Sequence, residues 1–519
     1  MTRARILPRS TPRAEGVDAA GVSAFLRAVE ARRLELHSIM LVRHGRVVAE
    51  GWWKPYSDDQ PHSLFSVSKS VTATAVGFAI DEGLLTLDDR IVELLPDDLP
   101  ATVGENLAAL RVRHLLTMTT GHAADTVDAA HNAPDDNWAR AVLAVPLEHA
   151  PGTLFVYNTG ATYLLSALLT RLTGERLLDY LTPRLFMPLG ITGARWERCP
   201  RGIDVGGWGL SLTTEEVAAF GQLYLQRGRW NGRQVVPGHW VDEATALQVP
   251  NGDPATPRHD AQGYGYQFWR CRGGDAYRAD GAFGQFSIVF PGHDAVLAVT
   301  SGVPDGHDIL DLVWEYVLPA LSGEGAVGGA AAGGAALSGP AALVADDALA
   351  DALLRLDLPL PAGTPTSPTA ARVGGIRYQL DDGDLWGVQL TEGVGRTTIT
   401  ITDAAGDHHI ACGFDTRLFG RTTLGTGDVT RAPGDLAIAA SGAWVDATTF
   451  VARIDGYQTP FCYTVTLRFG PGAAATAVPS DAAGLGDAAG TVHLELRANA
   501  SFTDTLLASQ HGHAVPAMG

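Results

Sequence analysis

Leu64-Phe65-Ser66-Val67-Ser68-Lys69-Ser70 places a lysine three residues after a serine. The spacing of apolar residues predicts a helix from Ser66 to Glu82, with Val71, Ala75, Phe78 and Ala79 on its apolar side and Gly83 as its stop. Of the 38 Lys and Arg residues in the chain, just Lys54 and Lys69 are lysines. Arginine keeps its proton in a protein, whereas a desolvated lysine can lose one and then accept it back. Residues i and i+3 share a helix face, so the Lys69 amine reaches the Ser66 hydroxyl, and the helix N-terminus stabilises negative charge there. Alone, the tetrapeptide also fits an exposed serine beside a solvated lysine; the rarity of lysine and the apolar helix context argue for chemistry instead.

Working outward, Ser38 to Glu50 reads as two short strands joined by a turn at His44-Gly45. Further strands are expected at Ala276-Tyr277-Arg278, Phe286 to Phe290 and Ala295 to Thr300, the last two joined by Pro291-Gly292-His293-Asp294. Together these predict an α/β fold with a mixed, largely antiparallel sheet flanked by helices. Ser322 to Pro340 is dominated by Gly and Ala without periodicity, the composition of a flexible linker. A short helix is expected near Pro340 to Leu356, before Pro359, Pro361, Pro365 and Pro368 break the chain. Beyond Gly374 the pattern becomes short alternating segments: Ile376 to Leu380, Leu385 to Leu390, Thr397 to Thr402, His408 to Phe414, Phe450 to Ile454, Tyr463 to Phe469 and Val492 to Leu496. Such spacing predicts a β-barrel, lipocalin-like, or a sandwich. The expected division is residues 1–321, a linker with a short helix at 322–373, and a β-rich domain at 374–519.

A chain of 519 residues with 46% hydrophobic content has room for two or three cores. A formal charge of −19 argues against nucleic acid or an anionic membrane as partner. Met1 to Glu30 has early arginines but no apolar run of signal-peptide length, and no run elsewhere reaches membrane-spanning length, so the expected location is the cytoplasm. Cys199, Cys271, Cys412 and Cys462 lie far apart without metal-ligand spacing, so buried reduced thiols are expected and a metal is not.

Five motifs occur in one order: Ser66 to Lys69; His114 to Gly121; Pro151 to Gly160, containing Tyr157-Asn158-Thr159; Gly206-Gly207-Trp208-Gly209-Leu210-Ser211-Leu212; and Gly281-Ala282-Phe283-Gly284-Gln285. This set resembles the serine β-lactamase and penicillin-binding-protein superfamily, in its class C-like branch of esterases, D-aminopeptidases and aminohexanoate-oligomer hydrolases. The resemblance covers about residues 10–320. It implies an α/β domain beside an all-helical lobe, no metal or organic cofactor, and an acyl-enzyme mechanism. By that resemblance Ser66 is the nucleophile, Lys69 helps deprotonate it, and Tyr157 relays a proton to the leaving group. The backbone N–H groups of Ser66 and Ala282 would form an oxyanion hole, with Gly281 giving steric room.

Two positions depart from the family pattern. Thr159 stands where many relatives have Asn, and the Lys-Thr-Gly box reads Ala279-Asp280-Gly281, with no strand lysine. Recognition of a β-lactam carboxylate is therefore in doubt. Arg278 and Asp280 share a strand face, so Arg278 is a substitute cation and Asp280 a partner for an amine, or the two form a surface ion pair. Lys54, among Trp52, Trp53 and Tyr56, reads as a snorkelling or stacking residue, and His62 and His122 as structural histidines. The leading expectation is a serine hydrolase acting on a small-molecule ester, amide or short peptide. Acyl transfer or peptide cyclisation through the same acyl-enzyme is the first alternative, and a non-catalytic binding protein the second. The β-rich domain is expected to restrict substrate size as a cover, a role that deletion of residues 330–519 tests.

Overall fold

The computed structural model describes residues 5–322, 340–424, 436–470 and 490–515. The Gly/Ala-rich stretch between Ser322 and Pro340 lies outside the described residues. Contacts divide the chain into two compact units. The first comprises Met1–Trp52, Ser57–Ser301 and Asp305–Leu356; the second Trp53–Tyr56, Gly302–Pro304 and Asp357–Gly519.

The first unit is built on six strands: β1 (Leu36–Arg43), β2 (Arg46–Trp52), β3 (Trp269–Arg270), β4 (Tyr277–Gly281), β5 (Gln285–Phe290) and β6 (Ala295–Ser301). Their spatial order is β2-β1-β6-β5-β4-β3, with every pair antiparallel. His44 and Gly45 both take left-handed dihedrals, the conformation a tight two-residue hairpin needs, and Arg43 pairs with Arg46 across it. β5 and β6 are buried along their whole length, because a sheet covered on both faces has no polar side.

Helices in this unit include α1 (Ala19–Ala31), α2 (Val67–Asp81), α3 (Val112–Leu116), α4 (Trp138–Ala144), α5 (Thr159–Thr173), α6 (Leu177–Leu181), α7 (Thr214–Leu225) and α8 (Pro340–Leu354). α7 packs on β1, β5 and β6; α3, α4 and α6 gather around α5; α2 lies between α5 and β4. α8 packs against α1 and β2.

The α2 helix departs from the amphipathic expectation. Every residue from Val67 to Ala79 is buried, so it has no solvent face. Its small polar side chains find partners locally: Ser70 Oγ donates to Gln267 O (2.6 Å), Thr72 Oγ1 to Gly206 O (2.8 Å) and Thr74 Oγ1 to Ser70 O (2.8 Å). A helix so rich in Ser, Thr and Ala can be buried all round because its hydroxyls are satisfied and its side chains are short.

In the second unit, ten strands run as β7 (Arg377–Leu380), β8 (Leu385–Gly393), β9 (Arg396–Asp403), β10 (Gly406–Gly413), β11 (Leu418–Thr422), β12 (Leu436–Trp444), β13 (Thr449–Asp455), β14 (Cys462–Phe469), β15 (Thr491–Ala498) and β16 (Leu506–Ala514). Their order is β10-β9-β8-β7-β16-β15-β14-β13-β12-β11, and a parallel bridge from Gly413 to Ser441 joins β10 to β12. The nine strands from β10 round to β12 thus close a barrel, with β11 paired along β12. Alternation along β14 turns Val465 and Leu467 inward, where Ile399, Ile401, Ile410 and Leu494 are also fully buried. Lys54, in this unit, is exposed and lies 4.0 Å from Asp357.

Candidate active site

Ser66 is the N-cap of α2 and half-buried, while Lys69, one turn on, is 1% exposed. Lys69 Nζ lies 2.9 Å from Ser66 Oγ, 2.8 Å from Gly207 O and 3.4 Å from Thr159 Oγ1. The helix spacing brings serine and lysine together. The wall of α5 and the Gly206-Gly207 loop then seal the amine from water. Burial pulls the Lys69 pKa down to about 7, against which the Asp125 carboxylate acts weakly in the opposite direction.

Tyr157, just before α5, is half-buried, hydrogen-bonds Ser66, and has its ring centroid 4.9 Å from Lys69 Nζ. Burial raises its hydroxyl pKa, so it is a neutral phenol able to give or take a hydrogen bond. Asn158 is fully buried: its Oδ1 accepts from Thr126 N (3.1 Å), Thr126 Oγ1 (2.8 Å) and Ala161 N (3.3 Å), capping α5 and fixing the Tyr157 backbone. Thr159 faces Lys69, and its N–H donates to Asp125 Oδ1 (2.8 Å).

On the opposite side runs β4. A side chain on Gly281 would put its Cβ 2.2 Å from Leu64 O and 3.2 Å from Ser66 N, so glycine is what lets the strand approach the start of α2. Among the described residues, the N–H groups of Ser66 and Ala282 donate to no protein acceptor. Phe65 and Phe283, the neighbours of these two residues, both take positive φ (47° and 64°) and pack edge to face at 5.3 Å. Bulky residues rarely adopt such dihedrals, and their pairing holds strained backbone on both sides of the gap.

Arg278 is buried and Asp280 half-buried, so the two do not form a surface ion pair. Arg278 is 1% exposed; its Nε donates to Asp280 Oδ2 (2.7 Å) and its Nη1 to His259 O (3.2 Å) and Arg270 O (3.3 Å). Its donors are turned inward, so it supports Asp280 rather than presenting a cation. Arg278 pairs across the ladder with Trp269, which stacks on Tyr157 at 5.3 Å, and Tyr264 meets Trp269 edge-on at 5.1 Å.

His62 lies apart from the nucleophile, its Nε2 2.9 Å from His37 Nδ1 and its Nδ1 2.8 Å from Ser63 O. His122 Nδ1 meets Thr120 Oγ1 at 2.9 Å. The four cysteines are buried. Sequence reasoning missed Asp125, Trp269 and Gln267. Asp125 sits in a polar loop with no local signal, whereas four aromatics within Tyr264 to Trp269 were visible as a cluster. Gln267 receives the Thr162 hydroxyl (2.7 Å) and donates to Leu115 O (3.0 Å) and Leu116 O (2.9 Å), tying α5 to α3.

The family model for Beta-lactamase matches residues 23–321. The chain belongs to the beta-lactamase family. Within that family it is 26% identical over 291 residues to the 6-aminohexanoate-dimer hydrolase of Paenarthrobacter ureafaciens, covering 52% of this chain and 73% of that protein. It is 28% identical over 209 residues to the esterase EstB of Burkholderia gladioli, covering 35% of this chain and about half (53%) of that one. Among solved structures, a Bacillus anthracis protein provisionally named as a 6-aminohexanoate-dimer hydrolase superposes with a TM-score of 0.51 at 20% identity, over 62% of this chain and 87% of that one, a likeness of fold. No helix among the described residues of this beta-lactamase-family chain is long and apolar enough to cross a membrane.

Proposed function

We propose that the chain is a serine hydrolase cleaving an ester or amide of a small molecule or short peptide through an acyl-enzyme on Ser66. The supporting observation is a buried lysine amine 2.9 Å from the Ser66 hydroxyl, with its pKa drawn to about 7. Near neutral pH much of Lys69 is then an uncharged amine able to take the Ser66 proton as Oγ attacks the substrate carbonyl. The carbonyl π electrons move to oxygen, and the free N–H groups of Ser66 and Ala282 receive that oxyanion. Collapse of the tetrahedral species expels the alcohol or amine, which takes its proton from Tyr157 as the phenol is reprotonated from Lys69. Water then repeats the attack and releases the acid, restoring Ser66.

Intact-mass spectrometry after exposure to a fluorophosphonate, a p-nitrophenyl ester and a penicillin tests this, with Ser66→Ala as control. An adduct confined to the wild type supports the nucleophile. Absence of any Ser66-dependent adduct removes the reading. The aromatic wall of Tyr157, Tyr264 and Trp269 supports acyl transfer as a second reading, because it limits water around the ester intermediate. Added amine or alcohol acceptors separate the two, since transfer diverts product from acid to conjugate. The buried thiols of Cys199, Cys271 and Cys412 favour a reducing compartment, the cytoplasm, as the place of the reaction.

A further inference from the structure

We propose that His122 is a positioning residue of the reaction, which acts through Asn158 to hold the Tyr157 hydroxyl where the leaving group departs. The proposal rests on the acyl-enzyme reading above, in which Tyr157 supplies the proton. Thr120, His122 and Asn158 are each no more than 2% exposed, so their polar atoms depend on one another rather than on water.

The Asn158 amide can lie only one way round. Its Oδ1 faces the backbone N–H groups of Thr126 (3.1 Å) and Ala161 (3.3 Å), which can only donate, and the Thr126 hydroxyl (2.8 Å). The amide nitrogen therefore turns the other way, to His122 Nδ1 at 3.3 Å, with Thr120 Oγ1 at 3.5 Å. An amide nitrogen donates and cannot accept, so Nδ1 is the accepting nitrogen of His122 and the ring proton sits on Nε2. The Thr120 hydroxyl meets the same Nδ1 at 2.9 Å. Burial holds the His122 pKa below its ordinary value against the Val145 backbone, Asp125 and Glu148, so the imidazole is neutral near pH 7 and the acceptor stays available.

Asn158 passes this constraint on. It is the N-cap of α5 and directly follows Tyr157, so an amide held at both ends fixes the backbone from which the phenol projects. Met118 secures the neighbouring peptides, its carbonyl accepting from Val156 N (2.9 Å) and its Sδ from Asn158 N (3.3 Å). Removing the Nδ1 acceptor strands a buried N–H of Asn158, and turning the amide to relieve it shifts the peptide at Tyr157. A displacement of about 1 Å at a reacting group can cost about a hundredfold in rate.

The test measures kcat/KM for p-nitrophenyl, phenyl and trifluoroethyl butyrate, whose leaving groups depend increasingly on a proton donor. The proteins are the wild type, His122→Leu, His122→Asn, Tyr157→Phe, the combination of Tyr157→Phe with His122→Leu, and Ser66→Ala as control. Fluorophosphonate labelling counts active sites, so a partly folded variant is compared per site. His122→Leu should lose about tenfold more on the trifluoroethyl ester than on the p-nitrophenyl ester. His122→Asn, whose side-chain oxygen can accept from Asn158, should restore most of that ratio. Once Tyr157 is Phe, adding His122→Leu should leave the ratio unchanged. Equal losses on all three esters, or a ratio that still shifts without the phenol, overturn the positioning role while leaving the acyl-enzyme intact. Absence of Ser66-dependent turnover of any ester by the wild type defeats the acyl-enzyme reading, and the positioning role with it. Should His122→Leu fail to fold, NMR of the imidazole nitrogens in the wild type decides, with the His122 signals assigned by their loss in His122→Asn. An unprotonated Nδ1 near neutral pH sustains the role, and a protonated Nδ1 overturns it.

Discussion

At the scale of single residues, Lys69 sets the clearest expectations. Its folded pKa near 7 lies below its ordinary value of 10.5, so between those values the unfolded chain binds the extra proton. Stability should therefore rise with pH across that window and level off below it. Lys69→Met removes the titrating group, so urea denaturation of both proteins at about pH 7.5 and about 9.5 should show a more positive change in stability with pH in the wild type than in the variant. The wild-type kcat/KM should climb through an acid limb near pH 7 as the amine loses its proton. Lys69→Met should lower it about a thousandfold. Lys69→Arg is a poorer test than Lys69→Met, because a larger permanent cation would have to occupy a sealed site. Gly281→Ala should abolish Ser66 labelling and lower Tm, since its Cβ meets Leu64 O at 2.2 Å. A fully labelled Gly281→Ala protein would show that β4 can move without cost.

At the scale of elements, the site depends on α2 and α5 being held in register by buried polar ties. Gln267→Leu leaves the Thr162 hydroxyl without its acceptor and removes the side-chain donor to the Leu115 and Leu116 carbonyls, which keep only their backbone N–H partners. It should cost about 2–4 kcal/mol in chemical denaturation, the range for stranded buried polar groups. Legibility varied with how strongly each element announces itself locally. The β1–β2 hairpin and β5, β6, β8, β9, β10, β13, β14 and β15 were expected close to where they lie, because β-branched and aromatic residues alternate there or run unbroken. β12 was missed: Leu-Ala-Ile-Ala-Ala-Ser-Gly-Ala-Trp has little intrinsic strand preference, yet it is buried almost throughout and stabilised by neighbours on both sides. β16 was missed for the converse reason, a polar segment with two histidines and a glycine that pairs with β7 and β15.

At the scale of the whole molecule, α8 completes the first unit from beyond the Gly/Ala-rich stretch. Leu349 and Leu353 are buried, and Leu353 and Leu356 approach Gly51 of β2. A chain ending at Leu356 should therefore melt higher than one ending at Leu321, by several degrees in calorimetry; equal Tm values would show that α8 adds nothing to this unit. The sequence by itself determined the family, the barrel-or-sandwich character of the second unit, and the pairing of Ser66 with Lys69, because these follow from spacing within one helix, ordered motifs and strand periodicity. Tertiary structure alone decided that α2 has no solvent face, that Arg278 turns inward to hold Asp280, and that Asp125, Gln267 and Trp269 belong around the site. Those features arise where segments far apart in the chain remove one another from water, and no local pattern of residues records which ones will meet.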